Sequence, residues 1–391
     1  RKGRSCLTNL LSFLDTVTGV LDEGECIDAV FLDFAKAFDK VPHQRLLQKL
    51  TSHGIDGKIK IWISEWLKQR KQRVTINGVF SDWREVFSGV PQGSVLGPVL
   101  FLIYINDLDN GVQNWILKFA DDTKLFGRVR NSEDGRRLQQ DLDKLIQWSE
   151  DWQMLFNAGK CKVMHFGRGT IEQDYYMQSH KLDRVTEERD LGIIISDNLK
   201  VSVQCGKAYA KANRLLGVLY RTIAHKTTDI MVKLYKTLIR PHLEYGVVAW
   251  SPHYVKDREL LERVQHRFTR MFPHLKEKPY SSRLMELGLY TLEERRNRAD
   301  LIEVYKMLNG LSRLPFGTFF ELREGDRTRG NSLKLIKHRS RLDLRQHFFS
   351  ERVVNSWNRL SNDTVTATSL NSFKNKLSRQ RYILMDPTID C

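Results

Sequence analysis

The sequence has few cysteines and no long apolar run. Its five cysteines show no paired spacing of the kind that zinc ligands have, and they are Cys6, Cys26, Cys161, Cys205 and Cys391. An odd, scattered set disfavours a disulfide framework and predicts a reducing intracellular compartment, nuclear or cytoplasmic. No stretch approaches about 18 apolar residues, so we expect no membrane span. No long apolar stretch or cleavage site follows the basic N-terminus, Arg1, Lys2 and Arg4, so we expect no signal peptide.

Positive charge is abundant instead, and it is unevenly distributed. The 391 residues include 63 Lys+Arg and 47 Asp+Glu, a formal net charge of +16. Residues 1–200 hold 28 of each sign, whereas residues 201–391 hold 35 bases and 19 acids. This excess predicts a polyanionic partner, although a solubilising surface is the alternative. Eight bases form a run that clamps nucleic acid or belongs to a mobile tail: Arg323, Arg327, Arg329, Lys334, Lys337, Arg339, Arg341 and Arg345.

Two adjacent acids interrupt an apolar stretch in the first half of the chain. Asp121 and Asp122 have apolar residues on both sides, which predicts two short strands with the acids at a tight turn. Because neighbouring carboxylates repel each other, a cation is expected beside them. The simpler alternative is an ordinary turn, where Asp is common.

A third acid, Asp33, follows four apolar residues, which predicts a carboxylate inside a buried strand. Such a group is costly unless it is paired with a base or binds a metal ion. Three acids on neighbouring strands could hold two divalent cations about 3.5–4 Å apart, as in-line phosphoryl transfer requires. The three acids together therefore indicate a polymerase palm.

Between these acids lies the loop of residues 88–98, SGVPQGSVLGP. Its glycines and prolines predict a turn, Ser94 is a candidate N-cap, and the apolar segment after it predicts a buried helix over residues 95–106. Gly93 beside Gln92 would let a ligand approach the backbone closely. An ordinary turn before a helix is the alternative.

Periodicity predicts a mixed α+β chain. Apolar residues at helical spacing predict a helix over residues 5–22, another near residues 59–67 and a third over residues 138–155. A hairpin is predicted around Asn77 and Gly78, a strong turn signal. From residue 198 onward, helices are predicted over residues 200–222, 227–243, 257–271 and 292–308.

Five ordered segments resemble the catalytic motifs of reverse transcriptases of non-LTR (LINE-type) retrotransposons, of the jockey and chicken-repeat kind. They are FLDFAKAFDKV (31–41), GVPQGSVLGP (89–98), FADD (119–122), NAGKCK (157–162) and LGII (191–194). Further resemblance lies in LIRPHLEYG (238–246) and SWNRL (356–360). The resemblance implies a right-hand polymerase, with a palm of antiparallel sheet packed on helices, then a helical thumb and a basic helical C-terminal region.

The resemblance also assigns catalytic roles. Asp33 and Asp121 would ligate two Mg²⁺ ions, with Mn²⁺ as a substitute, and Asp122 would support them. The backbone carbonyl of Phe34 would complete one coordination shell. Lys160 is a candidate general acid for the pyrophosphate, although the nearby Lys162 is not distinguished from it. Either lysine could equally be a solvated loop cation.

The nucleotide-binding roles follow in the same way. Phe38 occupies the steric-gate position, where its ring would exclude a 2′-hydroxyl, although a core aromatic is the alternative. Gln92 and Gly93 would line the nucleotide and template pocket. The implied partners are an RNA template, a DNA primer or target and deoxynucleoside triphosphates.

The domain division expected from the resemblance has four parts. Residues 1–23 would be a remnant of the fingers, 24–198 the palm, 199–275 the thumb and 276–391 the basic C-terminal region. Because only 32 residues precede Asp33, we expect a product truncated at the N-terminus within the fingers. Two alternatives to an RNA-directed DNA polymerase remain: a catalytically silent relic that only binds nucleic acid, and a two-metal nuclease.

Overall fold

The computed structural model describes residues 3–168, 173–323 and 330–380. The chain is an α+β protein, as the sequence predicted. The α-helices in chain order are α1 Cys6–Asp22, α2 Ala37–Lys40, α3 His43–Ser52, α4 Gly57–Leu67, α5 Leu96–Tyr104, α6 Ser132–Asp151, α7 Ser202–Thr222, α8 Thr228–Leu234, α9 Pro241–Glu244, α10 Val247–Trp250, α11 Val255–Thr269, α12 Tyr280–Glu286, α13 Leu292–Leu308, α14 Phe316–Phe319, α15 Asp343–Gln346, α16 Phe349–Asn358, α17 Asn362–Val365 and α18 Leu370–Arg379. The strands are β1 Ile27–Leu32, β2 Lys71–Gln72, β3 Thr75–Ile76, β4 Val79–Phe80, β5 Arg84–Glu85, β6 Trp115–Phe119, β7 Asp122–Arg128, β8 Lys162–Phe166, β9 Tyr176–Met177, β10 His180–Lys181, β11 Asp183–Arg184, β12 Glu187–Asp190 and β13 Ile193–Ser196.

The chain forms two compact units. The sheet unit comprises Glu25–Thr186, and the helical unit comprises Arg1–Gly24 with Glu187–Cys391. This packing does not test the division into fingers remnant, palm, thumb and C-terminal region that we expect from the sequence. That division stays a prediction.

A five-stranded sheet organises the sheet unit, in the order β11-β8-β1-β7-β6. The central strand β1 pairs antiparallel with β7 and β8, while β11 lies parallel to β8. All six residues of β1 are buried, which explains its nearly continuous apolar sequence. The α-helix α6 contributes Leu138, Leu142 and Leu145 to the core beneath this sheet. The sheet therefore holds the ends of β1 and β7 side by side.

The apolar helix of the second motif is shorter and less buried than predicted. The α-helix α5 begins at Leu96, and Ser94 still caps it, because its hydroxyl accepts a hydrogen bond of 2.9 Å from the Gly97 amide. Phe101 is fully buried, but Val95 is 87% exposed. The prediction of a buried helix was wrong for Val95, Val99 and Leu102, because only one side of this helix meets the core.

The helical unit confirms three of the helices predicted after residue 198, whereas the one predicted over residues 227–243 is divided into α8, a π-helical segment Tyr235–Ile239 and α9. The α-helix α13 has the predicted bounds, and a capping box of Thr291 and Glu294 fixes its start. It packs against α16 and α18, and α7 packs against α11. Trp357 of the SWNRL segment is fully buried and donates a hydrogen bond of 2.7 Å to the Leu333 carbonyl. This segment is part of a folded core.

Two residues of the predicted basic run, Arg341 and Arg345, contact helix α1 of the helical unit. Arg345 forms an ion pair of 2.8 Å with Asp15, and the Arg341 amide donates 2.8 Å to Asp22. A mobile tail is therefore wrong for residues 330–380, because they are ordered by helices and buried side chains. Outside the described residues lie three residues named above: Arg327, Arg329 and Cys391.

Two expectations about composition can be set beside the structure. In the described part of the chain, no helix is both long and apolar enough to cross a bilayer. The four cysteines among the described residues are free thiols.

Candidate active site

The paired acids lie at the tip of the β6–β7 hairpin, as predicted. Phe119 faces Asp122 across the hairpin, so the connecting turn consists of Ala120 and Asp121. Ala120 has a φ of +54°, the left-handed conformation that two-residue hairpin turns use. Asp121 is half-buried, and Asp122 is exposed at the first position of β7.

Asp33 joins these acids at the same edge of the sheet. The last pair of the β1–β7 ladder is Leu32 with Thr123, so Asp33 follows and Asp122 precedes the paired residues at the same end of the two strands. The register thus puts Asp33 and the Asp121–Asp122 turn at one end of the β1–β7 pair.

The expectation that Asp33 is buried inside the strand was wrong. Its side chain is 44% exposed because the backbone leaves the sheet after Leu32. There the Asn157 amide donates 2.8 Å to the Asp33 carbonyl, and the Ala35 amide donates 2.9 Å to the Leu155 carbonyl. The carboxylate therefore faces solvent, as a group that meets a substrate must.

The fully buried carboxylate of β1 is Asp28, which the sequence interpretation missed. It accepts a hydrogen bond of 2.6 Å from the Tyr175 hydroxyl and another from the imidazole of His165. Burial, together with the charge of Asp28 and the hydrogen bond to it, raises the pKa of Tyr175 well above its usual value. An acid in the apolar run of residues 27–32 was the available signal.

The structure separates the two lysines of the fourth motif. The ammonium of Lys160 lies 3.5 Å from the carboxylate of Asp33. Lys162 instead forms an ion pair of 2.7 Å with Asp183 and donates 3.0 Å to the Gly159 carbonyl. Lys160 is thus the lysine of this motif that lies at the acidic edge.

Cys161 supports Asp33 from the buried side. The Asp33 amide donates a hydrogen bond of 3.4 Å to its sulfur. Burial raises the pKa of the Cys161 thiol to about 11, so the group stays neutral at physiological pH. Phe34 stacks on Phe156 at 4.3 Å and is itself buried, which fixes the next residue of the chain.

The loop of the second motif packs directly on the first motif. The Val90 amide donates 2.8 Å to the Phe38 carbonyl, and the side-chain amide of Gln92 donates 3.0 Å to Asp39. Gly89 has a φ of +84°, and a Cβ there would lie 2.7 Å from the Asp39 carbonyl oxygen. This close approach holds Gln92 beside the turn that bears Phe38. Asp39 was not singled out from the sequence, although it lies in the first motif.

Phe38 and Gly93 occupy different environments in this loop region. The ring of Phe38 is half-buried and stacks on Phe101 at 4.4 Å, so it both packs on the core and presents an edge. Gly93 has a φ of +83° and open space around the position of a Cβ. Both are therefore accessible to a ligand at this surface.

The donor set at this edge can be compared with the needs of a metal ion. No three His, Cys, Asp or Glu side chains in the described ranges are grouped closely enough to hold one by themselves. Mg²⁺ is usually held by one or two carboxylates together with waters and substrate phosphates, and it prefers hard oxygen ligands. Asp33, Asp121 and Asp122 supply such oxygens, so the chemistry of the residues fits a magnesium ion that the substrate helps to bind.

Two further motifs meet inside the helical unit. The hydroxyl of Tyr245 donates 2.9 Å to the Leu191 carbonyl, at the turn of the β12–β13 hairpin. Gly192 leaves room for this ring, since a Cβ there would lie 3.0 Å from it. The Ile194 amide donates 2.9 Å to Gln204 of α7. The LGII and LIRPHLEYG segments thus form one packed element.

Comparison with protein families decides the identity of this arrangement. The family model described as reverse transcriptase (RNA-dependent DNA polymerase) matches residues 1–218, more than half of the chain. The chain belongs to the reverse transcriptase family. The family normally uses divalent metal ions.

Curated relatives of this reverse transcriptase come from mobile elements. It is 29% identical over 250 residues to the RNA-directed DNA polymerase from mobile element jockey of Drosophila funebris, covering 59% of this chain and 26% of that protein. It is 24% identical over 326 residues to the probable RNA-directed DNA polymerase from transposon BS of Drosophila melanogaster, covering 76% of this chain and 34% of that protein. The chain therefore spans about a quarter to a third of these relatives' length.

Solved telomerase structures show only a distant likeness. The structure of telomerase from Candida albicans in complex with a fragment of telomeric RNA aligns with 82% of this chain and 55% of that chain, at 12% identity and a TM-score of 0.31. The Candida tropicalis structure covers 79% of this chain and 47% of that chain, at 10% identity and a TM-score of 0.37.

Proposed function

We propose that this chain is the polymerase region of a retrotransposon and copies RNA into DNA. The reaction is transfer of a nucleotide from a deoxynucleoside triphosphate to a primer 3′-hydroxyl. The observation that carries the proposal is that Asp33 and the Asp121–Asp122 turn lie at the same end of the paired strands β1 and β7. Family membership gives that acidic edge its chemistry.

The three acids have distinct places in this proposal. Asp33 and Asp121 would hold two Mg²⁺ ions, or Mn²⁺ in their place, with the Phe34 carbonyl as a further ligand. Asp122 would support the site from the start of β7. When bound, such ions lower the pKa of the attacking hydroxyl and neutralise the charge on the triphosphate and the leaving pyrophosphate. The acids act by position, because the sheet fixes their backbones before any substrate arrives.

Lys160 is the proposed proton donor. Its ammonium is exposed and lies 3.5 Å from Asp33, within reach of a pyrophosphate held at the same edge. In the absence of substrate the ion pair with Asp33 orients this lysine. Lys160 is preferred to Lys162 because Lys162 forms its ion pair with Asp183 on strand β11 and not with an acid of the candidate site.

Substrate selection is assigned to the packed first and second motifs. Phe38 would exclude a 2′-hydroxyl with the edge of its ring, and stacking on Phe101 would keep that ring from moving aside. Gln92 and Gly93 would contact the incoming nucleotide and the template base. The partners are therefore an RNA template, a DNA primer or target and deoxynucleoside triphosphates.

Primer extension tests the proposal. The purified chain is supplied with an RNA template, a DNA primer, Mg²⁺ and four deoxynucleotides. Asp121→Ala should reduce extension by at least about a hundredfold, since transition-state charge loses its main support. Asp143→Ala is the matched control, because Asp143 is an exposed carboxylate on α6 that hydrogen-bonds only Gln139 among described residues.

Three results would contradict it. Extension that survives Asp121→Ala would remove these acids from the reaction. No extension by the unaltered chain, with salt-sensitive RNA binding intact, would describe a protein that only binds nucleic acid. Cleavage that needs divalent ions but no nucleotide would describe a nuclease.

A further inference from the structure

A second surface of the sheet unit is built around the hairpin of residues 71–85. β2 pairs with β5, and β3 pairs with β4 around a turn of Asn77 and Gly78, which both have positive φ. Lys71 faces Glu85, whereas Thr75 faces Phe80, so the returning strand holds one extra residue between the two ladders. That extra residue is a β-bulge, which twists the ribbon and directs side chains outward.

This hairpin exposes large apolar side chains over its whole length. Those more than half exposed are Val74, Ile76, Val79, Phe80 and Trp83. A two-stranded ribbon is marginally stable alone, and exposed aromatic rings of this size usually mark a binding surface. We therefore expect a ligand or a partner to bind this hairpin.

The charge of the hairpin indicates which kind of molecule binds it. Residues 68–85, the hairpin with the segment that leads into it, hold five bases and two acids, whereas the rest of residues 25–186 holds 18 bases and 19 acids. Lys71, Arg73 and Arg84 form no ion pair with a carboxylate of the described residues. Unpaired cations concentrated on one ribbon fit a polyanion and oppose a second copy of the same ribbon.

One face of the hairpin interleaves these cations with aromatic rings. The guanidinium of Arg73 lies 3.8 Å from the ring centre of Phe80 and 4.6 Å from that of Trp83. We call Arg73, Phe80 and Trp83 the aromatic–basic face. Rings pre-positioned by a cation, with further bases alongside, are the arrangement that binds unpaired bases and their phosphates together.

We infer that the aromatic–basic face binds a single strand of nucleic acid, with bases stacked on Phe80 and Trp83 and phosphates on Arg73 and its neighbours. This surface is additional to the acidic edge. Its base is tied to the second motif, since Arg70 donates 2.7 Å to the Gly89 carbonyl and the Val86 amide donates 2.9 Å to the Arg70 carbonyl. A strand bound there would be held close to the loop that bears Gln92.

The test is fluorescence anisotropy with the full chain and no nucleotides. The probes are labelled single strands of about 20 nucleotides, longer than the site of one small binding domain, in RNA and DNA versions of one sequence. Phe80→Ala/Trp83→Ala should weaken binding by about tenfold or more, because two stacked bases are lost. Val74→Ala/Ile76→Ala is the matched control on the opposite face and should stay within about twofold of the unaltered chain, because it removes neither a ring nor a cation.

Salt dependence supplies a second readout that a folding defect would not mimic. Arg73→Gln should reduce the slope of log Kd against log salt by about 0.7, the value for one phosphate contact on a single strand. Weakened binding of either probe supports the inference, and the pair of probes shows which sugar is accepted.

Other outcomes overturn it. If the Phe80→Ala/Trp83→Ala variant binds both probes within about twofold of the unaltered chain, stacking on this face is excluded. Loss of self-association in sedimentation velocity, with nucleic-acid binding unchanged, would make the hairpin a protein interface. Asp121→Ala separates this inference from the proposed polymerase, because it should abolish extension and leave strand binding intact.

Discussion

Replacing Gly89 with alanine tests whether the close packing of the first two motifs is required. Three glycines share nearly the same backbone conformation, with φ of +84° at Gly89, +83° at Gly93 and +75° at Gly54. Their surroundings differ. A Cβ at Gly89 would lie 2.7 Å from the Asp39 carbonyl oxygen, whereas nothing lies within 4 Å at the other two positions.

The magnitude follows from two separate costs. An alanine in the left-handed region costs about 1–2 kcal/mol, and all three variants share this cost. At Gly89 the new methyl group also meets backbone that cannot rotate away, and overpacking of this kind costs about 1–3 kcal/mol more. Gly89→Ala should therefore lower the free energy of unfolding by about 2–5 kcal/mol, against about 1–2 kcal/mol for Gly54→Ala and Gly93→Ala.

Urea denaturation followed by tryptophan fluorescence measures the difference. Primer extension at a temperature where all variants are folded then gives the functional effect. Gly89→Ala should reduce extension because a shifted loop displaces Gln92 from Asp39, and Gly54→Ala should leave extension unchanged. Equal destabilisation by the three alanines would refute the reasoning, since it would show that Asp39 does not crowd Gly89.

Two further predictions concern buried groups. Tyr175→Phe should lower the free energy of unfolding by about 1–3 kcal/mol, since one hydrogen bond to the buried Asp28 is lost. Tyr176→Phe, at an exposed site, should change the free energy of unfolding by less than about 0.5 kcal/mol. Urea denaturation measures both variants, and equal effects would contradict the buried hydrogen-bond network. The thiol pKa of Cys161 is raised from 9.0 to about 11, so at pH 8 its thiolate fraction should be about a hundredfold lower than in the unfolded chain. Alkylation followed by peptide mass spectrometry should find Cys161 protected by at least that factor in the native chain, and a native rate equal to the unfolded rate would contradict its burial.

Local sequence patterns predicted the elements of this protein well. Helical spacing of apolar residues located α1, α6, α7, α11 and α13, because each helix buries one face and its period is set by the helix itself. The Asn77-Gly78 turn and the acids at the β6–β7 tip were also predicted, since positive φ and short apolar runs are properties of a few consecutive residues. The five ordered motifs pointed to the family in the same way.

Long-range pairing decided what those elements do. The sequence placed Asp33 within a strand, yet Asp28 is the buried acid, because its partners His165 and Tyr175 lie far away in the chain. The sequence does not distinguish the roles of Lys160 and Lys162. The structure does, because Lys160 lies near Asp33 and Lys162 pairs with Asp183 of β11.

The sequence by itself determined the elements, the family and the residues available for chemistry. The tertiary structure determined which carboxylate is buried, which lysine faces the acidic edge and which hydrophobic side chains stay exposed. The physical reason is that burial and pairing depend on which distant strands and helices become neighbours. No local period of the chain carries that information.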